Sequence, residues 1–157
     1  MPDIDDRVPA LVWTYEPPDS SWRLEREEGV RFYRLPDGVI VIVPPDRDIE
    51  DGVRAARSRE LMLGMAAADG RPLRVAVLMD QLAGQEPAAR KVWAEQISTD
   101  WYERCALISS SLMARAIVSF FNGLRRPPVP TKVFSTIEEG LLWLREGERS
   151  GHSESRP

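Results

Sequence analysis

The sequence predicts an α/β domain on a mixed sheet of about five or six strands, an antiparallel hairpin followed by β-α-β-α-β-α units. Two observations carry this. Val39-Ile40-Val41-Ile42-Val43 is an unbroken β-branched run entered through the turn sequence Pro36-Asp37-Gly38, which places it as the last strand of a hairpin. Further on, Leu73–Met79, Cys105–Ile108 and Thr131–Phe134 are short apolar or β-prone runs, with a helical period after each. Such runs suit strands buried on both faces of a parallel sheet, joined through helices.

Taken in order, Met1 to Ser21 carries Pro2, Pro9, Pro17 and Pro18 with several acids and is expected to be an extended or disordered arm. Within it Leu11-Val12-Trp13-Thr14-Tyr15 is apolar and needs a cover. That cover is its own domain, through an arm or edge strand, or a partner reached by the hinge-like PPDSS stretch. Trp22–Glu25 and Val30–Leu35 form the first hairpin arms around Glu27-Glu28-Gly29. After Pro44-Pro45, Asp46 or Asp48 is read as the cap of a long helix to Ala68, with Ile49, Val53, Ala56, Leu61, Met65 and Ala68 as its buried side.

Asp69-Gly70 stops that helix and Leu73–Met79 follows as a strand ending at Asp80, with residues 81–85 as a loop. Pro87 opens a helix that buries Ala89, Val92, Trp93, Ile97 and Trp101. Cys105–Ile108 leads into Ser109-Ser110-Ser111, hydroxyls suited to cap a helix, and Leu112, Met113, Ala116, Ile117, Phe120, Phe121 and Leu124 share one face of it. Gly123 and Pro127-Pro128 end it. Ser135 and Thr136 each precede a glutamate by three positions, a doubled capping box. The last helix, using Ile137, Leu141 and Leu144 with Leu142 and Trp143 beside them, stops at Gly147. Residues 22–147 thus form the domain and 148–157 a disordered tail.

At 157 residues, with 43% hydrophobic and 29% charged side chains, the chain has the size and composition of one globular domain. A net charge of −4 argues against a nucleic-acid partner. One cysteine and one histidine, His152 in the tail, leave little for a disulfide, a zinc site or a Cys/His pair. No run approaches the roughly eighteen apolar residues of a membrane span, and the acidic start MPDIDD lacks signal-peptide character. A cytoplasmic protein without cofactor or metal is the expectation.

Several residues invite a functional reading. Asp80 ends a strand, where ligands of open α/β sheets bind, but it has no neighbouring histidine, paired carboxylate or phosphate loop in sequence, so a structural acid holding loop N–H groups is the simpler role. Ser110 and Ser111 could receive phosphate at a helix start, although capping accounts for them. Arg115 falls on the polar face of that helix, and Arg125-Arg126 suit its C-terminal dipole or an anionic ligand. Phe120 and Phe121 could line a lipophilic pocket with Met113 and Ile117, though helix-spaced aromatics are more often core. Trp13 and Tyr15 are candidate contacts in the arm. Cys105 reads as buried packing.

The strand-end Asp80 after an apolar run, the helix exit FFNGLRRP over Phe120–Pro127 and the final GLLWL over Gly140–Leu144 resemble the STAS-like, or SpoIIAA-like, small bacterial proteins. The similarity covers about Val30 to Leu144. It implies a STAS-like fold and a binding role toward protein partners or lipophilic molecules. In the anti-sigma-factor antagonists of that group a phosphorylatable hydroxyl follows the strand. Here Gln81 to Ala88 holds no Ser or Thr, so phosphoswitching is not expected. The resulting expectation is a non-enzymatic regulatory or scaffolding module that binds another protein, a second copy of itself included. The alternative is a carrier of a small lipophilic ligand.

Overall fold

Glycine makes both turns of the N-terminal hairpins. Gly29, at φ +72°, joins β1 (Arg23–Glu28) to β2 (Val30–Arg34), and Gly38, at φ +88°, lets the chain return as β3 (Ile40–Val43). The computed structural model describes residues 11–95, 100–112 and 129–153. After β3 come β4 (Asp48–Glu50), α1 (Gly52–Asp69), β5 (Leu73–Leu78), one 3₁₀ turn (Met79–Gln81), β6 (Leu82–Gln85), α2 (Pro87–Glu95), β7 (Tyr102–Ile108), β8 (Thr131–Phe134) and α3 (Ile137–Ser153). The main sheet has six strands in the order β1-β2-β3-β5-β7-β8. β1, β2 and β3 pair antiparallel, and β3, β5, β7 and β8 run parallel. The fold is α/β with a mixed sheet and an N-terminal antiparallel hairpin, as the sequence predicts.

Strand alternation divides the core. Tyr33, Val41, Ala76, Leu78, Ala106 and Ile108 face Leu141, Trp143 and Leu144 of α3, while Phe32, Ile40, Ile42, Val75 and Cys105 face Met62, Met65 and Ala66 of α1. α2 lies against α1 through Ala55, Ala89 and Val92. The outer strand β1 carries exposed charges along nearly its whole length, which protects an open sheet edge. Gly140 of α3 is buried against the sheet, where a Cβ would collide with Ile108 Cδ1 and lie 3.3 Å from Ala106 Cβ.

Several local readings are corrected. α1 is capped by Asp51, which accepts from Arg54 N–H at 2.8 Å, and not by Asp46 or Asp48. Its buried residues are Ala55, Ser58, Met62, Met65 and Ala66, with Val53 81% exposed. A helix rich in alanine and arginine has weak amphipathy, so its phase follows the pair of methionines that reach the sheet. Ile49 lies in β4 and is exposed, and residues 82–85 form β6, paired parallel with β4. Trp101 is buried in the turn before β7, edge-on to Tyr102, not in α2. Leu112 and Leu142 are exposed, and α3 continues past Gly147 to Ser153.

Residues 11–21 lie on their own domain without joining the sheet. Val12 C=O accepts from Asp46 N–H at 2.7 Å, just beyond β3, and Thr14 Oγ1 donates to Gln81 Oε1 at 3.2 Å, just beyond β5. Trp13 lies under the Arg31 guanidinium at 4.3 Å, and Tyr15, Trp22 and Tyr33 form a series of tilted rings with centroids 6.1 Å apart.

Candidate functional site

Asp80 stands in the 3₁₀ turn after β5, beside the end of β7. Its Oδ1 accepts from Ser109 Oγ at 2.7 Å, and its Oδ2 accepts from Ser110 N–H at 2.9 Å and Ser110 Oγ at 2.7 Å. Ser109 Oγ in turn accepts from Ser111 N–H at 3.2 Å. Partial burial pushes the Asp80 carboxyl up, but the Ser110 N–H and the two hydroxyls outweigh it and hold the group below its ordinary value. Both oxygens are engaged, so the carboxylate clasps two strand ends together. It is poorly placed to accept a substrate proton.

The structure thus joins Asp80 to Ser110 and, through Ser109, to Ser111, residues that the sequence had marked separately. Trp13 and Tyr15 lie elsewhere on the arm. Arg115, Phe120, Phe121, Arg125 and Arg126 lie outside the described residues, as do Met113 and Ile117.

A second arrangement centres on β4, whose side-chain pattern is inverted. Asp48 and Glu50 are 9% and 7% exposed, whereas Ile49 between them is 60% exposed. Buried acids require partners. Asp48 has a two-pronged one: Arg54 Nη1 and Nη2 reach its carboxylate oxygens at 2.6 and 2.7 Å, and Nη2 also donates to Gly29 C=O at 2.7 Å. Glu50 has no such cation. Trp93 Nε1 and Gln85 Nε2 both donate to its Oε1 at 2.8 Å. Among the described residues, Oε2 accepts no hydrogen bond. Burial pushes the Glu50 carboxyl above its ordinary value, and Asp48 adds to this. The two donors and Arg54 oppose the rise without cancelling it.

Glu50 lines a cavity of about 180 Å³ between the sheet and the layer formed by α1, α2 and β6. Ile42, Met62, Val77, Leu82 and Leu107 supply apolar wall, and Ser58, Gln85, Tyr102, Cys105 and Thr131 add polar atoms. Apolar walls with a few polar groups are the usual make-up of a small-molecule pocket. Cys105 is buried and hydrogen-bonded with Tyr102, and its thiol is pushed up to about 12 by burial. It is therefore a neutral wall and not a nucleophile. None of the site residues singled out from sequence and described here lines this cavity. The missed residue is Glu50, and its signal was the acid-apolar-acid alternation Asp48-Ile49-Glu50 after two prolines.

Among the described residues no group of three or more His, Cys, Asp or Glu could hold a metal ion, and no helix is long and apolar enough to cross a membrane. No curated protein and no solved structure matches the chain. A family model described as a domain of unknown function, DUF7793, matches residues 39–148, from the start of the β3 run into α3 and over the clasp and all of the cavity lining except Val30 of β2. The match spans well over half of the chain, and the protein belongs to that family.

Proposed function

We propose that this domain binds a small, largely apolar molecule without transforming it. The observation that carries the reading is Glu50, an acid buried in an apolar-walled cavity with no cation paired to it. An acid whose titration is shifted by burial inside a cavity is a candidate functional residue. The clasped Asp80 and the neutral Cys105 supply neither a general base nor a nucleophile, which favours binding over catalysis. The STAS-like sequence pattern supports the same class of role.

The test is native mass spectrometry of the protein from its own host, combined with thermal melts against single-ring compounds. A co-purifying small mass, or a melting rise with one-ring compounds that a Leu107→Phe filling variant loses, supports the reading. A bare protein mass and no melting response to any of them would overturn it.

A separate observation favours a protein partner in addition. Ile49 of β4 and Val53 in the first turn of α1 are both strongly exposed and lie four residues apart in sequence. An apolar pair there supports docking of another protein beside the cavity wall. Ile49→Lys with Val53→Glu should abolish that association while leaving the melting temperature unchanged. Retained association in cross-linking from the native host would defeat it.

A further inference from the structure

We infer that the cavity takes a small organic cation, a primary ammonium on an apolar body of about one ring, with the ammonium donating to Glu50 Oε2. The inference rests on the small-molecule reading above and adds the ligand's charge and size. Size follows from the volume: about 180 Å³ compares with a cavity of about 150 Å³ that admits benzene. A single ring with a short substituent fits, and a fatty acyl chain does not.

Charge follows from the bonding around β4. Asp48 and Arg54 neutralise each other within a two-pronged pair, so neither offers a charge to a ligand. Glu50 is 7% exposed, and its two donors are an indole and an amide, both on Oε1. Those donors are uncharged, so they orient the carboxylate and compensate its charge only in part, and they leave Oε2 for a further donor. Burial makes the missing counter-charge expensive, so a bound cation gains more here than at the surface. Ser58, 4% exposed on α1, lines the same cavity. It gives the ammonium a second polar neighbour. The ring would meet Ile42, Met62, Val77 and Leu107. An anion would face the Glu50 carboxylate directly and is excluded by repulsion.

Four compounds of nearly equal size separate the possibilities on the full-length protein: benzylamine, benzyl alcohol, toluene and benzoate, each titrated by calorimetry and by thermal melts. Benzylamine should bind about tenfold or more tightly than toluene, and benzoate should not bind. Glu50→Gln should remove the preference for benzylamine while toluene still binds, and Leu107→Phe should exclude both, which separates cavity binding from attraction to surface acids. Equal binding of benzylamine, benzyl alcohol and toluene overturns the cation inference and leaves the small-molecule reading standing. Benzylamine binding that survives Leu107→Phe also overturns it. Failure of all four to bind overturns both readings. Should Glu50→Gln not fold, the order of the four compounds on the unsubstituted protein still decides the question.

Discussion

The Trp93 indole N–H donates to Glu50 Oε1 at 2.8 Å, bridging 43 positions of sequence. This bond fixes α2 to β4, and with the Gln85 amide on the same oxygen it holds a carboxylate in place among apolar side chains. The arrangement costs stability, because a buried acid without a counter-ion is taken from water with only partial compensation.

Glu50→Gln should therefore stabilise the empty protein at neutral pH, by on the order of 1 kcal/mol. The sign follows from the raised carboxyl. A group that titrates higher when folded contributes most below its unfolded value, and that contribution is lost as pH rises through the folded value. The variant's advantage should thus be absent in acid and grow as pH rises above the ordinary glutamate range. Chemical denaturation across that range checks this, and a variant less stable at pH 7 than at pH 4, relative to the parent, contradicts it.

Asp80 behaves oppositely. Its carboxyl is held low by Ser110 and Ser109, so its contribution is full above the unfolded aspartate value and disappears as pH falls through the folded one. Asp80→Ala should cost about 1 kcal/mol near neutrality. The difference from the parent should narrow below pH 4. Because the strand ends lose their tie, amide exchange should accelerate at Ser109 and Ser110 before it does at Val75.

Cys105 is buried and its thiol pushed up to about 12. A charged disulfide reagent such as Ellman's should therefore leave the native protein unmodified and label one thiol per chain after denaturation. Rapid native labelling would show that the cavity wall opens readily to solvent.

Gly140→Ala should lower stability by about 1–3 kcal/mol, the usual range for an inserted methyl in a packed core. The added Cβ has nowhere to go between Ile108 and Ala106. Combining it with Ile108→Val should recover part of the loss in urea melts, because the colliding Cδ1 is removed.

The hairpins and parallel strands were legible because their signals are local. Pro36-Asp37-Gly38 sets a turn, and Val39–Val43 can only be interior to a sheet. β4 and β6 were not, since three and four residues are too short to show a period, and they pair with each other across a whole helix. The phase of α1 was likewise undetermined, because Ala55, Ala56, Ala66, Ala67 and Ala68 mark no face. Asp80 was legible as a strand-end acid, and its serines as N-terminal hydroxyls. That they hold one another depends on β5 and β7 being neighbours. Glu50 escaped notice because its meaning lies in Trp93 and Gln85, which only the folded chain brings to it.

The boundary of the family match has a practical meaning. Val39 is its first residue, so β2 and the arm lie outside it, yet β2 pairs with β3 at Phe32↔Ile42 and Tyr33↔Val41. All four residues of β3 are buried. A fragment trimmed to residues 39–148 would leave that strand's backbone donors and acceptors open along one side, with apolar side chains on both faces. Such a surface templates pairing between copies. The trimmed piece should precipitate or form strand-paired assemblies where the longer chain stays dispersed, so a fragment meant to fold should begin before β2 and not at the first matched residue.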